Sequence, residues 1–361
     1  MTVGSDRAWA HRPASGWSHW KQRLCGIAVA CCAGGVVGLA AAQGAPAVGD
    51  VPAPMGPPER SVAEWLVRLQ QAARVPSFVG TFVVTSSTGA MSSARIWHVC
   101  EGDVEIERVE ALSGVPRTIF RRNQSVVTFY PQSRLAVTDR RESGGVFPNL
   151  LTSSSTASMA DHYAAKEQGE SRVAGYDADV VYLKPQDELR YGYRIWSERS
   201  SGLVLKTQTL DRQGRVLEQS AFSELQLNAP LRAAKLTRMM ERTDGYKVEK
   251  PRREPTTAAA EGWMLSSAVP GFSSQNCYRH TAHQSGSMVQ WIFSDGLATV
   301  SLFLEPYDAQ RHGGEGNAAM GATHTLTKRL PDASGSWWVT AVGEVPPATL
   351  KALVSRLQRK P

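Results

Sequence analysis

The chain has 361 residues, of which 42% are hydrophobic and 20% charged, with a formal net charge of +7. The first 42 residues carry Arg7, Arg12, Lys21 and Arg23 against Asp6, so +3 of that charge belongs to them and about +4 to the rest. So small an excess, spread along the remaining chain, argues against nucleic acid as a partner, because that requires a clustered basic stripe.

A basic stretch ending at Lys21-Gln22-Arg23 runs into an apolar segment over 24–42 that closes on Ala40-Ala41-Ala42. This is the layout of a secretory signal peptide, and we expect cleavage after Ala42 and work outside the cytoplasm. Nucleotide-driven chemistry then drops out. The 19 residues of the apolar segment can just cross a bilayer. Gly26, Gly34, Gly35 and Gly38 weaken it as a permanent anchor, and Ala28 stands where a lipoprotein site at Cys31 would want a larger aliphatic residue. Removal of the leader takes Cys25, Cys31 and Cys32 with it. Cys100 and Cys277 remain, too few for a disulfide scaffold, and we expect packed or free thiols while leaving a pair between them open.

Residues 43–59 hold five prolines among small residues and read as a disordered tether. Ser61-Val62-Ala63-Glu64 is a capping box, and Val62, Trp65, Leu66, Leu69 and Ala73 follow at helical spacing to about Arg74, where Pro76 stops the helix. The period then changes to two. Strands are expected at 81–86, 94–100, 104–111, 116–122, 125–130 and 134–138. A looser Ser/Thr stretch covers 152–158, and strands resume at 163–166, 171–173, 177–183, 190–198, 204–210 and 216–227, with turn residues such as Asn123-Gln124 between them. Short strands at such intervals describe an antiparallel meander. One face of Tyr191, Tyr193 and Ile195 and one of Phe82 and Val84 would either line an apolar concavity or fill a core.

Residues 229–261 read as a linker with a short helix at 231–240. Strands are expected at 276–280, 287–294, 298–305, 323–330 and 336–342, with a mobile loop at 313–316. A helix opened by Pro346-Pro347 carries Leu350, Leu353, Val354 and Leu357 on one side. The expected organisation is a 1–42 leader, a 43–59 tether, a β-rich domain over 60–228, a linker over 229–261 and a smaller α+β domain over 262–361.

No nucleophile elbow, zinc helix, phosphate loop or Cys-x-x-Cys is present. His280 and His283 lack acidic or sulfur neighbours at ligand spacing, and Asp177 and Asp179 fit an exposed turn. We read the chain as one that binds and does not catalyse, with no cofactor and no metal. Three basic patches, at Arg121-Arg122, Arg140-Arg141 and 250–253, are expected on solvated loops, with an anionic lipid headgroup as their functional reading.

Tyr191-Gly192-Tyr193-Arg194-Ile195-Trp196, continuing through Gly202-Leu203-Val204-Leu205-Lys206 and Asp211-Arg212-Gln213-Gly214-Arg215-Val216-Leu217-Glu218-Gln219, resembles the RseB/MucB family of periplasmic sigma-E regulatory proteins. Val269-Pro270-Gly271-Phe272, Phe293-Ser294-Asp295-Gly296-Leu297 and Val342-Gly343-Glu344-Val345-Pro346-Pro347 resemble it as well. The resemblance implies a mainly β, α+β chain: a LolA/LolB-like unclosed antiparallel β-barrel wrapped on helices, then a smaller α+β domain. It further implies a periplasmic regulator that binds the periplasmic part of a membrane-spanning anti-sigma factor, shields it from proteolysis, and senses lipid or lipopolysaccharide. The long lead with Trp9, Trp17 and Trp20 departs from the family and leaves a start downstream of Met1 open.

By position and chemistry, acyl chains are assigned to Trp65, Leu69, Phe82, Ile96, Phe120, Phe129, Tyr193 and Trp196. The protein partner is assigned to Trp291, Phe293, Asp295, Phe303 and Arg329, because aromatic and Arg side chains dominate interface energetics. A periplasmic lipid or lipoprotein carrier is the alternative function, and a homo-oligomer is left open.

Overall fold

The computed structural model describes residues 60–72, 77–140, 159–250, 253–282, 286–332 and 335–360, which fall in one compact unit. The expected leader and tether, Ala73, Arg141, the stretch 152–158, Pro251, Arg252 and His283 lie outside the described residues.

Helix α1 (Val62–Ala72) begins as its capping box dictates. The Ser61 amide donates to Glu64 Oε2 at 2.7 Å, and the Glu64 amide donates back to Ser61 Oγ at 3.3 Å. Its Val62, Trp65, Leu66 and Leu69 stripe is buried. Eleven strands follow: β1 (Ser77–Ser86), β2 (Met91–Glu101), β3 (Val104–Ala111), β4 (Thr118–Arg122), β5 (Ser125–Tyr130), β6 (Leu135–Arg140), β7 (Tyr163–Val173), β8 (Tyr176–Pro185), β9 (Gly192–Glu198), β10 (Val204–Leu210) and β11 (Val216–Leu227). Helix α2 (Ala233–Glu241) and strand β12 (Lys247–Glu249) come next. The sheet runs β12-β6-β5-β4-β3-β2-β1-β11-β10-β9-β8-β7. Its pairs are antiparallel except β12 on β6, and its end strands β12 and β7 do not pair with each other, so it is unclosed.

Three apolar clusters fill this part. The first joins α1 to Tyr163, Val181, Leu183, Tyr193, Ile195 and Val204. In the second, Phe78, Phe82, Ile96, Val180, Trp196, Leu205 and Phe222 come together. Finally, α2 lays Ala233, Leu236 and Met240 on Val99, Ile106, Phe120, Val127, Phe129 and Ala136. Alternation along the strands sends Ile96 and Val99 to opposite sides of β2, so that strand is covered on both faces.

The second sheet is built from β13 (Arg253–Thr256), β15 (Ser273–Ala282), β16 (Gly286–Ser294), β17 (Thr299–Pro306), β18 (Gly316–Met320), β19 (Thr323–Asp332) and β20 (Gly335–Gly343), in the order β13-β15-β16-β17-β20-β19-β18. A separate ribbon pairs β14 (Trp263–Leu265) with β21 (Leu357–Arg359). Helix α3 (Pro347–Arg356) presses Leu350, Leu353 and Val354 onto Trp291, Phe293, Val300, Leu302, Leu304, Val339 and Ala341.

Four expectations differ from what is observed. The strands at 163–166 and 171–173 are one strand, β7, whose pairing with β8 slips between Glu167 and Glu170 around the left-handed Gly169. The 229–261 linker is not featureless: besides α2 it lends β12 to the first sheet and β13 to the second. Gly316, expected in a mobile loop, opens the exposed edge strand β18. Leu357 leaves the helix and starts β21, paired with Leu265.

Candidate functional site

Arg190 lies in the turn between β8 and β9, and Asp295 in the turn between β16 and β17. Both side chains are fully buried, and Arg190 Nε donates to Asp295 Oδ2 at 2.9 Å. The turn holding Asp295 is built locally. Its Oδ1 accepts from the amides of Leu297 and Ala298 at 3.0 and 2.7 Å. Gly296 follows at φ +101, with the thioether of Met159 so near that a Cβ would meet the sulfur at 2.5 Å. Asp295 Oδ2 accepts a second bond, from Tyr163 Oη at 3.0 Å.

The other guanidinium nitrogens are also taken. Arg190 Nη1 pairs with Asp187, Nη2 donates to the Pro270 carbonyl at 2.9 Å, and the cation sits 5.1 Å from the centre of the Phe272 ring. Around this core, Thr349 Oγ1 on α3 donates to the Leu189 carbonyl, and Tyr191 Oη meets His324 Nδ1 at 3.2 Å. Burial, with the Asp295 carboxylate second, pushes the Tyr163 phenol well above its ordinary value, so it remains a donor. Burial does the same to Tyr193.

This arrangement joins two sheets and leaves no guanidinium nitrogen for a ligand. It is a latch. Elsewhere, His98, Glu105 and Glu107 bring ligand-type atoms within 4.8 Å of one another. Arg121 pairs with both of those carboxylates, and His98 Nδ1 lies 3.1 Å from Glu107, so both carboxylates are already engaged by protein groups, while the buried His98 Nε2 has no hydrogen-bond partner among the described residues.

The eight residues assigned to acyl chains are all buried and do not meet at one place. Trp65, Leu69 and Tyr193 belong to the α1 cluster, Phe82, Ile96 and Trp196 to the second, and Phe120 and Phe129 to the α2 cluster. Of the five assigned to a protein partner, Trp291 and Phe293 are core residues under α3 and Asp295 is the latch carboxylate. Phe303 is half-buried and Arg329 exposed. Arg329 pairs in register with Trp338, and its guanidinium lies 4.2 Å from the Tyr307 ring centre.

Sequence reasoning missed Arg190, which it took as the first residue of a strand, and Tyr163. A signal was present. Val269-Pro270-Gly271-Phe272 and Phe293-Ser294-Asp295-Gly296-Leu297, two segments carrying the resemblance, both converge on Arg190.

The chain matches the MucB/RseB N-terminal domain over residues 61–240 and the MucB/RseB C-terminal domain over residues 257–358. It is 31% identical over 298 residues to the sigma factor AlgU regulatory protein MucB of Pseudomonas aeruginosa, covering 80% of this chain and 87% of that one. Identity to the sigma-E factor regulatory protein RseB of Haemophilus influenzae is 24% over 303 residues, covering 83% and 92%. Among solved structures, the MucA/MucB complex of P. aeruginosa superposes with a TM-score of 0.66 at 27% identity, over 83% of this chain and 99% of that chain. A crystal structure of MucB in complex with MucA(peri) gives 0.64 at 28%, with the same coverage. These matches place the chain in the MucB/RseB family.

Proposed function

We propose that this chain is exported to the periplasm and regulates an envelope-stress sigma factor. It does so by binding the periplasmic region of a membrane-spanning anti-sigma factor, protecting that region from proteolysis, and releasing it when lipid or lipopolysaccharide binds. The observation that carries the reading is the likeness to MucB solved together with MucA, which extends over 99% of that chain and therefore over both sheets.

The surface offered to the partner is the face of the second sheet opposite α3. Phe303 lies there, alternating with the buried Leu302 and Leu304. So does Arg329, beside the stacked rings of Tyr307, His312 and Trp338. Such a patch combines the aromatic and Arg side chains that dominate interface energetics.

Lipid acts by linkage. The assigned acyl-binding side chains are packed into cores, so a chain enters only by parting one of them. A lipid that prefers the parted form lowers partner affinity by its differential affinity for the two forms. The α1 cluster is the candidate, since Tyr163 belongs both to it and to the latch.

Capture of a purified anti-sigma periplasmic segment, with and without lipopolysaccharide, tests the reading. It predicts retention that added lipopolysaccharide reduces and that Phe303→Ala with Arg329→Ala abolishes. Absence of retention under both conditions would retire it.

A further inference from the structure

Arg122, Arg140, Lys250 and Arg253, drawn from the three basic patches distant in sequence, meet at one cleft. A space of about 680 Å³ is lined by Arg122, Asn123, Gln124 and Ser125 from the β4–β5 hairpin, Thr138, Asp139 and Arg140 from the end of β6, Lys250, Arg253 and Pro255 from the segment joining the sheets, and Tyr278 on β15. Four cations face a single carboxylate there.

Asp139 is committed to Arg253, at 2.9 Å. Arg253 also donates to the Arg140 carbonyl and lies 4.8 Å from the Tyr278 ring centre, which makes it part of the wall. Among the described residues, no carboxylate comes closer than 3.8 Å to the remaining cations. Arg140 is oriented by an uncharged acceptor, Gln124 Oε1, at 3.1 Å from Nε and 2.6 Å from Nη2. Arg122 approaches Glu241 only to 3.8 Å, with both groups largely in water, where such a pair contributes little. No carboxylate among the described residues pairs with Lys250. Like charges gathered in one concavity repel one another unless an anion enters.

We propose that this cleft binds the phosphate group of a phosphorylated ligand, held by Arg122, Arg140 and Lys250. The planar forks of two arginines and the point charge of a lysine suit a tetrahedral oxyanion. The volume lies in the range of small-molecule sites, larger than a bare anion needs, and Asn123, Ser125 and Thr138 add neutral polar groups for a sugar or glycerol portion. The first sheet supplies Arg122 and Arg140, and the second supplies the Arg253–Tyr278 wall. A ligand here therefore touches both. The inference goes beyond partner binding and its assay contains no partner, so either can fail alone.

The test titrates the full chain with inorganic pyrophosphate, with glucose 1-phosphate, and with phosphatidylcholine vesicles made with or without phosphatidic acid. The expected result is saturable binding that weakens with added salt and loses about tenfold or more in affinity in Arg140→Gln/Lys250→Gln, but not in Lys184→Gln, a surface cation outside the cleft. Binding of the soluble phosphates alone supports a small phosphate ester as the ligand, and binding only of vesicles containing phosphatidic acid supports a lipid headgroup. If the double variant does not fold, Arg122→Gln gives the same reading. No binding by any probe, or affinity equal in wild type and folded variants, overturns the proposal.

Discussion

Arg190 Nε and Asp295 Oδ2 lie 2.9 Å apart with neither side chain exposed to water, and they sit in turns of two different sheets. Each ion is costly to bury by itself, so the pair makes the two sheets depend on each other. Arg190→Met strands the carboxylate and should cost about 3–5 kcal/mol, whereas Arg190→Met with Asp295→Asn, which removes the charge and keeps the acceptor for the turn amides, should recover part of that loss. Urea unfolding followed by Trp fluorescence checks both. Equal destabilisation by the single and double variants would contradict the latch.

Helix α1 is fastened by Trp65, which is fully buried against the sheet. Trp65→Ala should cost about 3–5 kcal/mol by cavity formation. Ser61→Ala removes only the cap and should cost about 1 kcal/mol. Thermal melts of the two variants should keep that order.

Much of this was legible beforehand. The Ser61–Glu64 box and strands β3, β5, β10 and β11 are local patterns, an N-cap and alternating apolar residues, and each appears where those patterns place it. Strands β12, β13 and β18 were not visible. Lys247-Val248-Glu249 and residues 316–320 are exposed throughout, and Pro255 interrupts the third, so no buried face writes a period of two into them. The site was less legible than the fold. Asp295 was assigned to the protein partner by position and chemistry, yet it is buried. What buries it is Arg190, 105 residues away, and no local pattern encodes that pairing.

Acid should weaken the fold. Burial pushes the Glu198 carboxyl up, but the Ser201 hydroxyl at 2.6 Å and the amides of Ser200 and Ser201 at 3.0 and 2.5 Å outweigh it and leave the group below its ordinary value. Asp211 behaves alike through Arg215 and Gln213. A carboxylate depressed in the folded state adds stability above its unfolded pKa of about 4, and that stability is lost as pH falls through the lower folded value. Burial raises Glu218, which contributes in the opposite sense between about pH 4.3 and its folded value. Melting temperature should fall steeply below about pH 4, and Glu198→Gln should flatten that slope while costing about 1–2 kcal/mol at neutral pH.

Cys100 and Cys277 are not joined in a disulfide, and burial pushes Cys277 up to about 11. Only the thiolate reacts. At pH 8 iodoacetamide should spare Cys277 in the folded chain and label it after denaturation, while the half-buried Cys100 is labelled first. Peptide mapping by mass spectrometry reads both sites.

The central claim is that the two latched sheets act as one binding body for an anti-sigma segment. Titration of the purified periplasmic segment of a membrane-spanning anti-sigma factor into the intact chain and into Arg190→Met, at a urea concentration where both remain folded, tests it most directly. The account predicts saturable binding to the intact chain and binding weakened at least about tenfold in the variant, equivalent to about 1.4 kcal/mol. Equal affinity for both proteins, or no binding to the intact chain, would contradict it.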